Sequence, residues 1–350
     1  MARFAAAIPL LLLAARPLPA YELAASADGP ITAATCAESG HDAGMPACAR
    51  LLEPAPPAPA WTWTFDYRFR SLTNSHTSYE FGTPELPPDG WAPLSRLNFN
   101  IDSLWHGVQI GLKRPRWGLH VEYLLPLQRS VQGSLDDYDW DPPGAGFTDL
   151  GIARQRWTDG HMLDAGAEFL LLDRPWGLPL EIWPLAGFRW QRFHLMCYDL
   201  VQYKEGGVWP VDPFRDAGNV LAFNQQYYAG YFGGQLRTSL ALGRLPALRL
   251  TLQGDWACTE GYNVDHHLIR EGDRYTIEKT YGGAWHAGLT AEMPLRTRLS
   301  LGCQIDYLAI STTGSHRLLN APFDVDQSWT HGVRAWSDQT WLTAFVRVNW

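Results

Sequence analysis

No run of about 18 or more apolar residues occurs anywhere in the 350-residue chain, so a helix that spans a bilayer is excluded. There is no basic stripe either. With 28 Lys and Arg against 36 Asp and Glu, the net charge of −8 leaves nothing to neutralise a phosphate backbone, which excludes a nucleic-acid partner. Amphipathic helical periodicity is missing throughout. None of the five cysteines has the spacing of a zinc site, and their odd number leaves at least one thiol unpaired.

What the chain has in abundance is aromatic side chains, with 17 Trp, 14 Tyr and 14 Phe. A soluble core rarely takes so much Trp, whereas a membrane β-barrel sets Trp and Tyr as girdles around its apolar band. Residues 1–20 have the form of a secretory signal: Arg3 in the n-region, an apolar stretch from Phe4 to Ala15, and Leu18-Pro19-Ala20 at the cleavage site. Pro9, Pro17 and Pro19 speak against a buried helix there. Residues 21–60 are rich in Ala, Pro, Ser and Gly and end in EPAPPAPA, with too little bulky apolar content to fold alone. The expectation is a periplasmic tail in which Cys36 and Cys48 could close a small disulfide loop.

From Trp61 the pattern changes to period 2. Trp61, Trp63, Phe65, Tyr67 and Phe69 alternate with Thr62, Thr64, Asp66, Arg68 and Arg70, and the alternation returns in Trp117 to Leu125, Leu163 to Phe169, Leu248 to Asp255 and Leu299 to Tyr307. Each such strand has one apolar face, and no helix is available to cover it. In an exported chain, lipid is the expected cover. The expected fold is therefore all-β, a transmembrane antiparallel up-and-down β-barrel of about ten strands that extends above the membrane and occupies residues 61–350. The strands are expected at 61–82, 92–113, 116–136, 161–173, 179–200, 224–243, 246–263, 273–292, 295–312 and 331–350. Short connections such as Arg114-Pro115 belong on the periplasmic side, and the longer ones at 83–91, 140–160, 201–223, 264–272 and 313–330 belong outside the cell.

Two details disturb simple counting. Leu97, Phe99 and Ile101 are out of phase with Val108, Ile110 and Leu112, which calls for a bulge between them. Counting from Tyr123 also aims Asp137 and Asp139 outward, unless the strand slips near Pro126 or Gly133-Ser134.

The two stretches rich in chemistry fall at the extracellular end. Leu135 to Asp141 reads LDDYDWD, with four carboxylates in seven residues, and Asn263 to His267 reads NVDHH, where Asp265 and His267 share a face of an extended backbone. Acids at Asp137 and Asp139 with an acid and a histidine at Asp265 and His267 are the groups needed to hold and deprotonate a water. Blander roles compete: a solvated acidic loop, a calcium loop, which lacks its Gly and Glu, or a surface metal site, which lacks a nearby third ligand.

In these residues the chain resembles the omptins, ten-stranded outer-membrane endoproteases of Gram-negative bacteria. The resemblance runs from about Phe65 to Trp350. It rests on Asp137-Tyr138-Asp139-Trp140, on Asp265-His266-His267, on Ser95-Arg96-Leu97-Asn98-Phe99, on Ala186-Gly187-Phe188 with Arg192-Phe193, and on a final strand that alternates to Trp350. It implies an aspartyl-type endopeptidase in which His267, oriented by Asp265, takes a proton from a water positioned by Asp137 and Asp139. It implies a monomer in the bacterial outer membrane, its active site facing outward, acting on peptides or proteins. Arg192 and Lys279 match positions of a lipopolysaccharide site, with Gln226 where a second arginine is expected. Their plain role is snorkelling at the lipid boundary. No cofactor is expected, and lipopolysaccharide enters as a candidate requirement for activity.

The pocket that gives omptins their preference for basic residues departs from the family pattern. Asn263 stands where an aspartate is expected. On the first strand the nearest match is Ser78, with Glu80 two residues on. Selectivity for basic residues is therefore expected to be weakened or altered, with Glu80 the candidate to restore it. The competing function is a non-proteolytic barrel, either an adhesin or a narrow pore, although inward Tyr227, Tyr231, Trp341 and Phe345 tend to fill the interior.

Overall fold

A computed structural model describes residues 61–83, 92–142, 146–204, 209–211, 218–243, 245–272 and 274–350. The expected signal and tail, with Cys36 and Cys48, lie outside the described residues. The strands are β1 (Thr62–Thr83), β2 (Ala92–Asn100), β3 (Ser103–Arg114), β4 (Trp117–Pro126), β5 (Ser130–Asp139), β6 (Asp149–Phe169), β7 (Leu172–Asp173), β8 (Leu180–Lys204), β9 (Trp209–Val211), β10 (Asn219–Leu242), β11 (Leu245–His267), β12 (Arg274–Arg296), β13 (Leu299–Asn320) and β14 (Val325–Asn349). All pair antiparallel. β1 meets β14 from Thr64 opposite Asn349 to Phe81 opposite Val333, and this closes the ring. β2 and β3 are one wall strand interrupted at 101–102, and β4 and β5 another interrupted at 127–129, so the wall has ten positions.

Around the middle of the barrel the outer face carries exposed Leu119, Val121, Phe232, Trp256, Trp285, Ile305 and Leu342. A band of this extent on a water-soluble monomer would be an aggregation site, and here it is the surface that lipid covers. The inner face at the same level is charged and closed. Arg68 and Arg70 pair with Glu122, each at 2.8 Å. Arg189 bridges Asp164 and Asp255, and His286 bridges Asp255 at 2.7 Å and Asp306 at 3.0 Å. Tyr227, Tyr231, Trp341 and Phe345 are all buried beside them, as their inward parity predicts. The space left toward the Arg114 and Asn349 end is a cavity of about 970 Å³. Cys197 is buried, Cys258 and Cys303 are exposed, and all three are free thiols.

The out-of-phase apolar residues have a different cause from the one their spacing suggests. Leu97, Phe99, Ile101, Ser103 and Trp105 are all buried, while Leu104 and Ile110 are exposed, so odd positions face inward without a change of phase. Leu97, Phe99 and Ile101 belong to an apolar core inside the barrel and not to its lipid face. Phe99 stacks on Phe223 at 3.9 Å, and Trp157 joins Trp105 at 5.3 Å and Phe193 at 5.8 Å.

The extra residue lies in β1. Thr73 pairs with Thr340 and His76 with Asp338, three steps against two, and Asn74 takes the left-handed conformation with φ 52°. A shift of one residue exchanges the faces of everything beyond it. Below the bulge Arg68 and Arg70 point inward; above it Thr77, Tyr79 and Phe81 do.

The slip expected after Tyr123 falls at the break that follows Pro126. A second irregularity, at Gly133 with φ 90°, pairs Ser130 with Arg156 and Ser134 with Arg154, and so keeps the phase. The outer ends of the strands run further than the apolar alternation: β6 starts at Asp149, β13 ends at Asn320 and β14 starts at Val325, leaving a turn at Ala321–Phe323 where a loop over 313–330 is expected. Above the lipid the outer face meets water in place of hydrocarbon, so the apolar alternation fades while the backbone ladder continues.

Candidate functional site

The β2–β5 pair sets the acidic motif. Asp137 stands opposite Leu97 and Asp139 opposite Ser95, so both share the inward face of Leu97 and Phe99, while Asp136 and Tyr138 share the other face with Asn98 and Arg96. On the facing wall β11 pairs with β12: Asn263 opposite Glu278, Asp265 opposite Thr276, His267 opposite Arg274. On its other side Asp265 stands opposite Phe223 of β10. Phe223 lies between Phe99 and Tyr79 in a stack that forms an apolar floor.

Asp265 is fully buried, and its Oδ2 accepts a hydrogen bond from the Tyr79 hydroxyl at 2.6 Å and lies 3.2 Å from His267 Nε2. Burial and the nearby Asp265 raise the Tyr79 hydroxyl well above its usual range, so it remains a donor. Across the cleft, burial pushes the Asp137 carboxyl up to about 8, helped first by Asp139 and then by Asp265, with Arg270 and a hydrogen bond from Ser95 acting the other way. Asp137 thus feels the charges of both Asp139 and Asp265, so the β5 acids and the Asp265–His267 pair are within electrostatic reach of each other across the cleft.

Two site residues escape the sequence pattern. Tyr79 does so because the bulge at Asn74 hides its parity. Glu278 has a legible signal, since it alternates with Thr276 and Thr280 on the buried face of β12. It is fully buried, His316 Nδ1 lies 2.9 Å from its Oε1, and the His316 ring stacks on Phe81 at 4.2 Å. Burial raises the Glu278 carboxyl and His316 opposes that rise. Both amide atoms of the buried Asn263 opposite Glu278 make no hydrogen bond.

The structure does not place Glu80 with Asn263. The same bulge turns Glu80 and Ser78 to the outer face, where Glu80 pairs with Arg96 and Ser78 with Asn98. Arg96 in turn lies over Trp140 at 5.4 Å and Trp336 at 5.7 Å. Arg192 and Lys279 lie on the outer wall in one register row, Arg192 opposite Gln226, Gln226 opposite Tyr262, Tyr262 opposite Lys279. Arg192 reaches Asp159 and Asn224, each at 3.2 Å. Among the described residues no group of three His, Cys, Asp or Glu side chains is arranged to hold a metal.

A closed antiparallel barrel with an apolar outer band and a charged lumen is a barrel of the outer-membrane type. Among solved structures the chain is similar to the outer membrane protease OmpT from Escherichia coli, with a TM-score of 0.68 at 16% identity over 83% of this chain and 97% of that one. The translocator domain of autotransporter NalP from Neisseria meningitidis, at 8% identity and a TM-score of 0.33 over 86% of this chain and 91% of that one, is a much looser likeness. No protein-family model matches the sequence, and no curated protein matches it.

Proposed function

We propose that the chain is an endopeptidase of the bacterial outer membrane that cleaves peptides or proteins on the extracellular side through an activated water. The supporting observation is the Asp265–His267 pair, buttressed by Tyr79, within electrostatic reach of an Asp137 carboxyl raised by burial and then by its neighbour Asp139. His267 Nε2 faces Asp265, so Nδ1 is the nitrogen left to take a proton from the water. Asp137 keeps its proton at neutral pH, and together with Asp139 it holds the water against the peptide carbonyl. Arg192 and Lys279, in their row above the lipid band, are the proposed contacts to lipopolysaccharide phosphates. The closed lumen speaks against the narrow-pore alternative.

The deciding experiment offers a peptide library to the barrel refolded in lipopolysaccharide. Cleavage that disappears in His267→Ala supports the reading; a folded barrel that cuts no peptide overturns it.

A further inference from the structure

A site built from carboxyl groups meets a difficulty that a serine-type site avoids. When water adds to the peptide carbonyl, the new carbon–oxygen bond forms, the water proton passes to His267 Nδ1, and the carbonyl π pair moves onto oxygen as an oxyanion. That charge develops where Asp137, Asp139, Asp265 and Glu278 already face inward. A cation or a set of aimed donors is needed to stabilise it.

The inward donors have limited freedom. The Tyr79 hydroxyl is committed to Asp265. Arg270 sits on the turn beyond β11 and acts on Asp137. Arg274 is placed differently. It is the cross-strand partner of His267, which sets the two Cβ atoms about 5 Å apart on one face. It shares the inward parity of Thr276 and Glu278, is only half-buried, and interacts electrostatically with the neighbouring Arg270 and with Tyr79, Asp265 and Asp139. Its Nε–H is buried and has no hydrogen-bond acceptor.

We propose that Arg274 is a catalytic residue whose guanidinium donates to the oxyanion of the tetrahedral intermediate; this rests on the protease reading above. On collapse the carbon–nitrogen bond breaks, the amine nitrogen takes the proton from His267, and the oxyanion pair returns to the carbonyl of the new acid, which releases Arg274. A guanidinium suits the task because it stays charged and presents several N–H groups in a fixed fork.

The test compares Arg274→Gln and Arg274→Lys with the unmodified barrel, each shown to be folded by heat-modifiable gel migration. Two measurements are made: kcat and KM on one cleaved peptide, and the affinity for a phosphinate peptide, an anionic tetrahedral mimic, against its neutral hydroxyethylene counterpart. Arg274→Gln is expected to lower kcat by about 10²-fold with KM little changed, and to abolish the preference for the phosphinate, while Arg274→Lys retains part of both. A rise in KM alone would show that Arg274 holds a substrate carboxylate, and an unchanged phosphinate preference in Arg274→Gln would show that it takes no part; either result overturns the proposal. Phosphinate binding needs no turnover. If the barrel cuts nothing, the protease reading falls, while the two affinities still decide whether Arg274 receives an anion.

Discussion

The Tyr79 hydroxyl donates to Asp265 Oδ2 at 2.6 Å, to the same oxygen that faces His267 Nε2 at 3.2 Å. One carboxylate oxygen thus divides its basicity between a phenol and an imidazole. A hydrogen bond to a charged group contributes about 1.5–3 kcal/mol. Tyr79→Phe is expected to leave the barrel folded and to lower kcat by about 10-fold with KM little changed, because Asp265 loses the donor that fixes the carboxylate against His267. An unchanged kcat would show that Tyr79 only packs.

Asp139→Asn and His267→Ala are each expected to abolish peptide cleavage without disturbing heat-modifiable migration, because both side chains lie above the lipid band and outside the charged lumen. Thiol and serine reagents should have no effect on cleavage. Measurable turnover in either variant would remove that residue from the mechanism.

Asp137 links pH to stability. Its carboxyl is raised from the usual 3.8 to about 8, so between those values the folded state binds the extra proton and the unfolded state does not. The contribution is fully present below about pH 4 and is lost as pH rises through 8. Thermal gel-shift midpoints should therefore fall from pH 5 to 9 in the unmodified barrel more than in Asp137→Asn, with the variant the more stable of the two at pH 9. Parallel curves would show that Asp137 ionises normally.

Selectivity for a basic side chain is expected to depend on Glu278 and not on Glu80. Glu278 is the buried carboxyl opposite Asn263, whereas Glu80 is engaged with Arg96 on the outer face. Cleavage rates on a matched Arg and Ala peptide pair should converge in Glu278→Gln and keep their ratio in Glu80→Gln. The reverse pattern would mean that the bulge in β1 has been assigned to the wrong residue.

Arg192 and Lys279 are three strands apart in one row, on the order of 15 Å at the usual strand spacing. Replacing both by Ala should weaken binding of lipopolysaccharide to the refolded barrel and leave binding of zwitterionic detergent as it was. Equal lipopolysaccharide binding would reduce both to snorkelling side chains.

The wall of the barrel was legible because lipid imposes a strict rule: wherever one face meets hydrocarbon, as from Trp61 to Phe69 or Leu299 to Tyr307, period 2 is enforced residue by residue. Above the lipid that rule ends, which is why β6, β13 and β14 outrun the pattern. Asp265 and His267 kept the parity of their strand and were readable from it. Tyr79 and Glu80 were not, since a single left-handed Asn74 exchanges them and nothing in a Thr-Asn-Ser sequence distinguishes a bulge from an ordinary strand. Leu97 to Ile101 failed in the opposite sense, because an apolar side chain looks the same whether it faces lipid or an apolar core.

A strand has a reading frame of two, and Asn74 is a frameshift within it. Loss of that one codon would let the ladder run regularly from Thr73 to Ser75 and keep Tyr79 facing Asp265, whereas one added codon with no second bulge to absorb it would leave the membrane-embedded half of β1 as it is and re-face the half above, withdrawing Tyr79 from Asp265 and presenting Ser78 and Glu80 to the cleft. A lineage of such barrels can therefore exchange one whole wall of its cleft by a single insertion, without a substitution, and alignments that treat insertion and deletion at this position as equivalent would miss it.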